Sequence, residues 1–270
     1  KSALFPFHAW LPDAYGYSTV SSAAILSSLV SKGYIFLLIK IIYRVIGFDI
    51  FYNSRIINIL FVFGLMGMIF GSLSAIKEND VRRMIAFSSV AQIGYIYMGI
   101  GMGTQAGMAA SVFHVLSHAA TKSLLFIAAI GLTDVSGGSR QFVELTGAAY
   151  RNKWAGVAFT VGSLSMVGVP LFSGFISKLL FAQAAVQNNV KMLPALIVLG
   201  ISTVLNAIYF MKTVIRIYTP VEDRSYESVK FGGMKLYAAT LVGFIILNVF
   251  LGVSSQPVVD LIGQGLAMFS

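Results

Sequence analysis

The fold of this chain is decided by residues 106–133, which read AGMAASVFHVLSHAATKSLLFIAAIGLT. This segment is longer than the about 20 mostly apolar residues that an α-helix needs to cross a bilayer. It nevertheless contains His114, His118 and Lys122 near its middle. A charged side chain at the bilayer centre costs at least ~2.5–3.5 kcal/mol, so such residues usually mark an ion pathway or a binding site. The segment therefore predicts a membrane helix with a functional role.

The composition of the whole chain is that of an integral membrane protein. Of the 270 residues, 57% are hydrophobic and 11% are charged, whereas soluble domains average about 45–50% apolar and about 25% charged residues. A water-soluble globular fold is therefore excluded. Intrinsic disorder is excluded as well, because charge is low and the chain has 21 Phe and 12 Tyr. The absence of cysteine excludes disulfides, iron–sulfur ligation and cysteine-type zinc sites.

Several apolar segments have spanning length. They lie near residues 18–43, 56–76, 84–102, 106–133, 154–187, 193–217 and 235–254. None shows the ten-residue alternation of a membrane β-barrel. We therefore predict an all-α polytopic membrane protein with about seven transmembrane helices, a partial helix and one broken helix.

The chain is predicted to form a single transmembrane domain over residues 1–270. Residues 1–9 are apolar but too short to span, and we interpret them as the end of a helix whose beginning is missing. The chain is then a fragment of a longer protein. We assign residues 1–17 to this helix end and a cytoplasmic loop, 18–219 to the core helices, and 220–270 to a loop and the terminal helix.

The formal net charge of +9 is distributed unevenly between the two sides of the predicted bundle. One side collects Lys77, Arg82, Arg83, Arg140, Arg151, Lys153, Arg216, Arg224, Lys230 and Lys235. The other side has Lys40, Arg44, Arg55 and Lys191 near its helix ends. An excess of Lys and Arg marks the cytoplasmic side. The C-terminus is therefore predicted to lie outside the cell or in the periplasm. We expect the protein itself to lie in a bacterial or archaeal inner membrane.

The long segment 154–187 is interrupted at Gly168, Pro170 and Gly174. Proline removes a backbone donor and clashes with the preceding turn, and glycine loosens the helix further. One interpretation is an ordinary proline kink. The other is an unwound segment, which at membrane depth survives only where protein buries it or water lines it, and transporters place such breaks at their ion sites.

Ionisable side chains recur inside the predicted spans and form the candidate proton pathway. The set comprises Lys1, Lys32, His114, His118, Lys122 and Lys178. Positions 114, 118 and 122 are four residues apart, so they form one stripe about 12 Å long on a helix. Histidine titrates near neutral pH, and burial lowers the pKa of lysine into a useful range. With water between its members, such a stripe relays protons.

Three other interpretations of these residues compete with a proton pathway. The spacing of His114 and His118 also suits a metal site, although no carboxylate in the spans supplies a third ligand. Snorkelling explains lysines near helix ends, such as Lys40, but does not explain Lys32 or Lys122. Purely structural hydrogen bonding of the histidines is the third interpretation. We predict no catalytic residue, no cofactor and no metal ion.

Four motifs together resemble one family. They are residues 1–14 (KSALFPFHAWLPDA), residues 78–95 (ENDVRRMIAFSSVAQIGY), His114-x3-His118-x3-Lys122-x2-Leu-Phe, and Gly168-x-Pro170-x3-Gly174-Phe-x2-Lys178. Their identity and order resemble the antiporter-like proton-translocating subunits of respiratory complex I (NADH:quinone oxidoreductase), of Mrp-type sodium/proton antiporters and of membrane-bound hydrogenases. The resemblance covers essentially the whole chain.

The resemblance implies a fourteen-helix fold with two inverted repeats, of which this chain holds the second. It implies that Lys1 is the broken-helix lysine of the first half-channel and that Lys32 is a lysine of the eighth helix. His114, His118 and Lys122 then correspond to the central relay, with Lys122 storing the proton. Lys178 corresponds to the terminal group on the twelfth helix.

The predicted function is translocation of protons, or of protons and sodium, by a subunit of a multisubunit membrane complex. Redox-driven quinone reduction or cation antiport would drive it, and the subunit would not be an enzyme alone. The partners expected are other membrane subunits and the lipid bilayer, not nucleic acid. The alternatives are a stand-alone secondary solute transporter and a non-conducting structural subunit.

Overall fold

The computed structural model describes residues 1–221 and 234–268. Its helices are α1 (Trp10–Tyr17), α2 (Ser21–Ile46), α3 (Phe48–Asn53), α4 (Ile56–Lys77), α5 (Val81–Gly101), α6 (Gln105–Asp134), α7 (Ala148–Arg151), α8 (Lys153–Val167), α9 (Ser173–Val186), α10 (Met192–Ile217), α11 (Lys235–Val253) and α12 (Ser255–Ala267). The fold is all-helical over these residues, as the apolar pattern predicts.

Six of these helices, α2, α4, α5, α6, α10 and α11, are long and apolar enough to cross a membrane. The predicted span 154–187 is instead two shorter helices, α8 with 15 residues and α9 with 14. Residues 168–172 join them, so the chain is interrupted where Gly168 and Pro170 lie. The terminal helix α12, which follows α11 after Ser254, is not among the predicted spans.

The first seventeen residues contain one short helix. Residues 1–9 form extended backbone and turns, and α1 begins only at Trp10. Pro6 lacks a backbone N–H, and a proline disfavours helical backbone at the residue before it. The segment 1–17 therefore consists of a turn followed by a two-turn helix.

Helices α5 and α6 form the centre of the bundle. In their apolar windows 94% and 78% of the residues are buried, against 28–39% in the other four long helices. Close packing of α4 on α5 requires glycine, since a Cβ on Gly64 would lie 2.4 Å from the Met98 nitrogen. Small residues allow such close approach between membrane helices. The motif helices α5 and α6 are thus shielded on nearly all sides.

One end of the bundle carries a cluster of basic residues, and we call it the basic face. Its described members are Lys77, Arg82, Arg83, Arg140, Arg151, Lys153, Arg216 and Lys235. Asp80 begins α5 there by accepting hydrogen bonds from the backbone nitrogens of Arg82 (2.8 Å) and Arg83 (3.1 Å). The other oxygen of Asp80 lies 3.3 Å from Arg140 Nε. Arg224 and Lys230, predicted for the same side, lie outside the described residues.

Candidate functional site

The predicted stripe on α6 lies in the interior of the bundle. The exposed fractions of His114, His118 and Lys122 are 4%, 1% and 0%. The two imidazole rings are 5.8 Å apart and within 6° of parallel, because residues four apart lie on one face of a helix. None of the three side chains faces the lipid side of the bundle.

Lys122 is held by the neighbouring helix α5. Its ammonium donates a hydrogen bond of 2.7 Å to the Ile85 carbonyl and a short one to the Ser88 hydroxyl. Ser88 and Ser89 donate to the same carbonyl at 2.8 and 3.2 Å. The lysine is therefore surrounded by neutral oxygen atoms, and among the described residues no carboxylate forms an ion pair with it.

Lys32 follows a π-helical turn in α2, at Leu26–Val30. Its ammonium donates a short hydrogen bond to the carbonyl of Ser27 in this turn and another of 3.2 Å to the Ser31 hydroxyl. The side chain is 5% exposed. Single π-helical turns occur frequently at functional sites because they widen the helix and redirect backbone groups.

A line of hydroxyl groups joins the two lysines. The Ser27 and Ser89 hydroxyls are 3.4 Å apart, and both side chains are 0% exposed. Ser89 donates to the Ile85 carbonyl, which also accepts from Lys122. Ser27 in turn offers its carbonyl to Lys32. Lys32 and Lys122 are therefore linked across the α2–α5 contact through the carbonyl and the hydroxyl of Ser27, the Ser89 hydroxyl and the Ile85 carbonyl.

The other end of the stripe reaches the broken helix. His114 Nδ1 lies 2.5 Å from the Ser177 hydroxyl on α9, next to Lys178. The ring of Tyr95 stacks on His114 at 5.6 Å, and its centroid is 5.9 Å from Lys178 Nζ. His118, between His114 and Lys122, has no hydrogen-bond partner for either ring nitrogen within the described part of the chain. Buried polar atoms are normally paired, so the two ring nitrogens of His118 are exceptions among the described residues.

The helix break positions Lys178. Helix α8 ends at Val167, and its last carbonyls lack partners within the helix. Lys178 Nζ donates to the carbonyls of Met166 (3.1 Å) and Val167 (2.5 Å). These carbonyls form the negative end of the α8 dipole, which favours a cation. The break is thus a lysine-binding element, beyond the proline kink that the sequence left as an alternative.

Two glycines make this arrangement sterically possible. Gly168 has φ of +92°, a conformation that favours glycine, and a Cβ there would lie 2.9 Å from Lys178 Cδ. A Cβ on Gly174 would lie 1.8 Å from the Ser165 carbonyl oxygen. Pro170 lies between them on an exposed turn. The three predicted break residues therefore act together to fold α9 back onto α8.

A buried cluster of hydroxyl groups supports the break from behind. Asn248 Oδ1 on α11 accepts hydrogen bonds from Thr121 (2.7 Å), Ser165 (3.0 Å) and Ser173 (3.1 Å). Ser117 donates to Ser173 at 2.8 Å. All five side chains are at most 2% exposed. The cluster ties α6, α8, α9 and α11 together, and its members Ser117 and Thr121 directly precede His118 and Lys122 on α6.

Lys1 is not part of this buried row. It is exposed, and its ammonium lies 5.3 Å from the centroid of the Tyr34 ring. Lys1 and Ser31 line one cavity of about 430 Å³, and Ser31 accepts a hydrogen bond from Lys32. Of the six predicted pathway residues, four are buried in the interior, Lys178 is partly buried next to them, and Lys1 meets them only through a cavity.

Sequence reasoning missed the polar residues that face the stripe. Ser88 and Ser89 lie on α5 beside Lys122, and the side-chain nitrogen of Gln92 on the same helix is buried without a partner among the described residues. Their spacing within an apolar helix was the available signal.

No group of three His, Asp or Glu side chains that could bind a metal ion comes together in residues 1–221 and 234–268.

Comparisons with known proteins identify the family. The sequence profile described as NADH:quinone oxidoreductase/Mrp antiporter, TM matches residues 1–205. An NADH-quinone oxidoreductase subunit N from Desulforudis audaxviator is 35% identical over 81% of this chain and 43% of its own length. A Na(+)/H(+) antiporter subunit from Alkalihalophilus pseudofirmus is 28% identical over 96% of this chain and 51% of its own length.

A solved structure has the same fold. A chain of the Mrp complex from Dietzia sp. DQ12-45-1b superimposes with a TM-score of 0.84 and 25% identity, covering 97% of this chain and 56% of that chain. The present chain thus spans about half the length of the relatives it matches. The profile covers well over half of the chain and includes all six predicted pathway residues. The chain belongs to the NADH:quinone oxidoreductase/Mrp antiporter transmembrane family.

Proposed function

We propose that this chain forms part of a proton-translocating membrane subunit. Its pathway runs from Lys32 through Lys122 and the two histidines to Lys178, with Lys1 at the cavity that opens beside Lys32. The observation that carries the proposal is the row formed by Lys32, Lys122, His118, His114 and the partly buried Lys178, in which no carboxylate of the described residues forms an ion pair with a lysine.

The absence of carboxylates in the described part of the row makes the lysines interdependent. Like charges in a medium of low effective dielectric repel each other strongly, so protonation of Lys122 disfavours protonation of Lys32 and Lys178. Each ammonium donates its hydrogen bonds to neutral oxygens. Charging one lysine therefore moves a proton away from the next one, and this coupling drives stepwise transfer along the row.

His118 and His114 bridge the gap between Lys122 and Lys178. A neutral imidazole both donates and accepts a hydrogen bond, so it passes a proton from one ring nitrogen to the other. Water at the unpaired nitrogens of His118 would complete the connection to Lys122. Ser177 then links His114 to the helix that carries Lys178.

The whole protein is expected to be about twice as long and to work in a multisubunit membrane assembly. The two relatives are a subunit of an NADH-quinone oxidoreductase and a subunit of a Na(+)/H(+) antiporter. Redox-driven quinone reduction or exchange of protons for sodium would accordingly supply the driving force. The present residues would form the second inverted repeat of a fourteen-helix domain. The basic face would be cytoplasmic, with the C-terminus outside.

The proposal is tested in the full-length subunit within its complex, reconstituted into vesicles that report proton transport by a pH-sensitive dye. Lys122→Ala and Lys178→Ala should each abolish transport while the complex still assembles. Lys40→Ala is the matched control, because this lysine is exposed and lies outside the row. Normal transport in both buried-lysine variants would refute the assigned roles.

A further inference from the structure

A cavity penetrates the bundle from the basic face between α4, α5 and α10. Its polar lining consists of Glu78, Tyr209, Lys212, Thr213 and Arg216. Its narrow interior has a volume of about 10 Å³, close to the minimum that holds a water molecule. Charged groups and a tyrosine therefore line an opening at the basic face.

Tyr209 closes the inner end of this cavity. Its side chain is 3% exposed, and its hydroxyl donates a hydrogen bond of 2.6 Å to Asn206 Oδ1. The side chain of Ser88 on α5 lies near the same hydroxyl, which is hydrogen-bonded to Asn206. A hydroxyl in contact with groups on two helices is able to exchange partners by rotating its O–H bond.

Ser88 connects Tyr209 to the proton pathway. It accepts the short hydrogen bond from Lys122 and donates to the Ile85 carbonyl. Lys122 itself is fully buried and lies twelve residues before the end of α6 at Asp134, about 18 Å from the basic face along the helix axis. Ser88 is only seven residues from the start of α5, about 10 Å from that face. The Ser88 hydroxyl therefore lies between Lys122 and the basic face.

We propose that Tyr209 and Ser88 form a proton access route between the basic face and Lys122. A proton from water in the cavity moves to the Tyr209 oxygen as the Tyr209 hydroxyl proton moves to Ser88 and the Ser88 proton moves to the neutral amine of Lys122. One proton enters, one lysine becomes charged, and both hydroxyls are restored when they rotate back. This inference rests on the proposed function and adds an entry point separate from Lys1 and Lys178.

The competing role of Tyr209 is structural. Asn206 also accepts a hydrogen bond from Ser72 on α4 at 3.3 Å, so the cluster holds α10 against α4. A purely structural role predicts that losing the Tyr209 hydroxyl lowers stability without changing how transport depends on the pH at the basic face. The two roles therefore differ in a measurable quantity.

The test is Tyr209→Phe in the full-length subunit within its complex, reconstituted in vesicles. Transport should fall at least about tenfold, as expected when a proton-transfer group is removed, and the remaining rate should lose its dependence on the pH at the basic face. The matched control is Tyr237→Phe, since Tyr237 is another partly buried tyrosine near the basic face whose hydroxyl donates to the Ile127 carbonyl at 3.1 Å. The control should keep both the rate and the pH dependence.

Three results decide between the possibilities. If the Tyr209→Phe variant transports protons at the wild-type rate while the Lys122→Ala variant does not transport them, the access route is overturned and the proposed function remains intact. Wild-type transport by Lys122→Ala would instead overturn the proposed function. Equal losses of rate and melting temperature in Tyr209→Phe and Tyr237→Phe, with pH dependence retained, would show a structural role. If Tyr209→Phe does not assemble, Ser88→Ala decides by the same pH readout.

Discussion

Replacing Lys122 by methionine separates a transport role from a structural role. Methionine is a flexible, apolar side chain that fills irregular space in a core. It removes the ammonium and leaves its two acceptors in place. Both acceptors stay paired, because Ser88 still donates to the Ile85 carbonyl and Ser89 donates to the same oxygen.

The expected change in the free energy of unfolding is small. The variant loses two charge-assisted hydrogen bonds of about 1.5–3 kcal/mol each. It also removes a charge whose placement in the membrane interior costs at least ~2.5–3.5 kcal/mol. Since no buried group is left unpaired, these contributions largely cancel, and we expect Lys122→Met to lie within about 2 kcal/mol of the wild type.

Transport should respond quite differently from stability. A residue that carries the proton has no substitute in methionine, so the transport rate should fall at least about 100-fold. Thr121→Val, one residue earlier on α6, is the matched control. It removes a hydrogen bond to Asn248 and should cost about 1 kcal/mol while transport continues.

Both variants are measured in the intact complex by thermal unfolding in detergent and by dye-reported transport in vesicles. Normal transport by Lys122→Met would refute the role of this lysine as a proton carrier. Destabilisation of this variant by more than about 4 kcal/mol would refute its neutrality for stability, since that is the loss expected when a structural buried charge network is broken.

Three further variants test other parts of the site. Gly168→Ala forces a side chain into φ of +92° and against Lys178, so unfolding stability should fall by about 1–3 kcal/mol and transport should be lost; wild-type values of both would contradict the role of the break. Ser89→Ala interrupts the hydroxyl link to Ser27 and should slow transport about tenfold in vesicles, and an unchanged rate would show that the link carries no protons. Asn248→Leu removes the acceptor of three buried hydroxyls and should lower stability by about 3 kcal/mol, whereas an unchanged melting temperature would count against the cluster as a support.

The helices of this protein were predictable from the sequence because their stabilising interactions are local. In a bilayer every backbone N–H and C=O must be satisfied within its own segment, so a sufficiently long apolar run must be helical. The helical period likewise places His114, His118 and Lys122 on one face without knowledge of any neighbour. Pro170 and its flanking glycines indicated the interruption between α8 and α9 by the same local logic.

The partners of these residues were decided by the tertiary structure alone. His114 meets Ser177, 63 residues away, and Ser27 meets Ser89, 62 residues away. Serine is common in membrane helices, both at helix contacts and bonded to its own backbone, so a single serine carries no signal of which role it has. The rotation of each helix about its axis determines the role, and that rotation results from packing all the helices together.

Lys1 and Lys122 illustrate the same division. Both are lysines in motifs of one family, yet one is exposed beside Tyr34 and the other is fully enclosed. Residue type and spacing determined that this is a helical membrane protein with ionisable groups in its spans. Which of those groups share one hydrogen-bonded interior depended on contacts between distant segments, because a hydrogen bond between helices forms only after both have been positioned by the rest of the bundle.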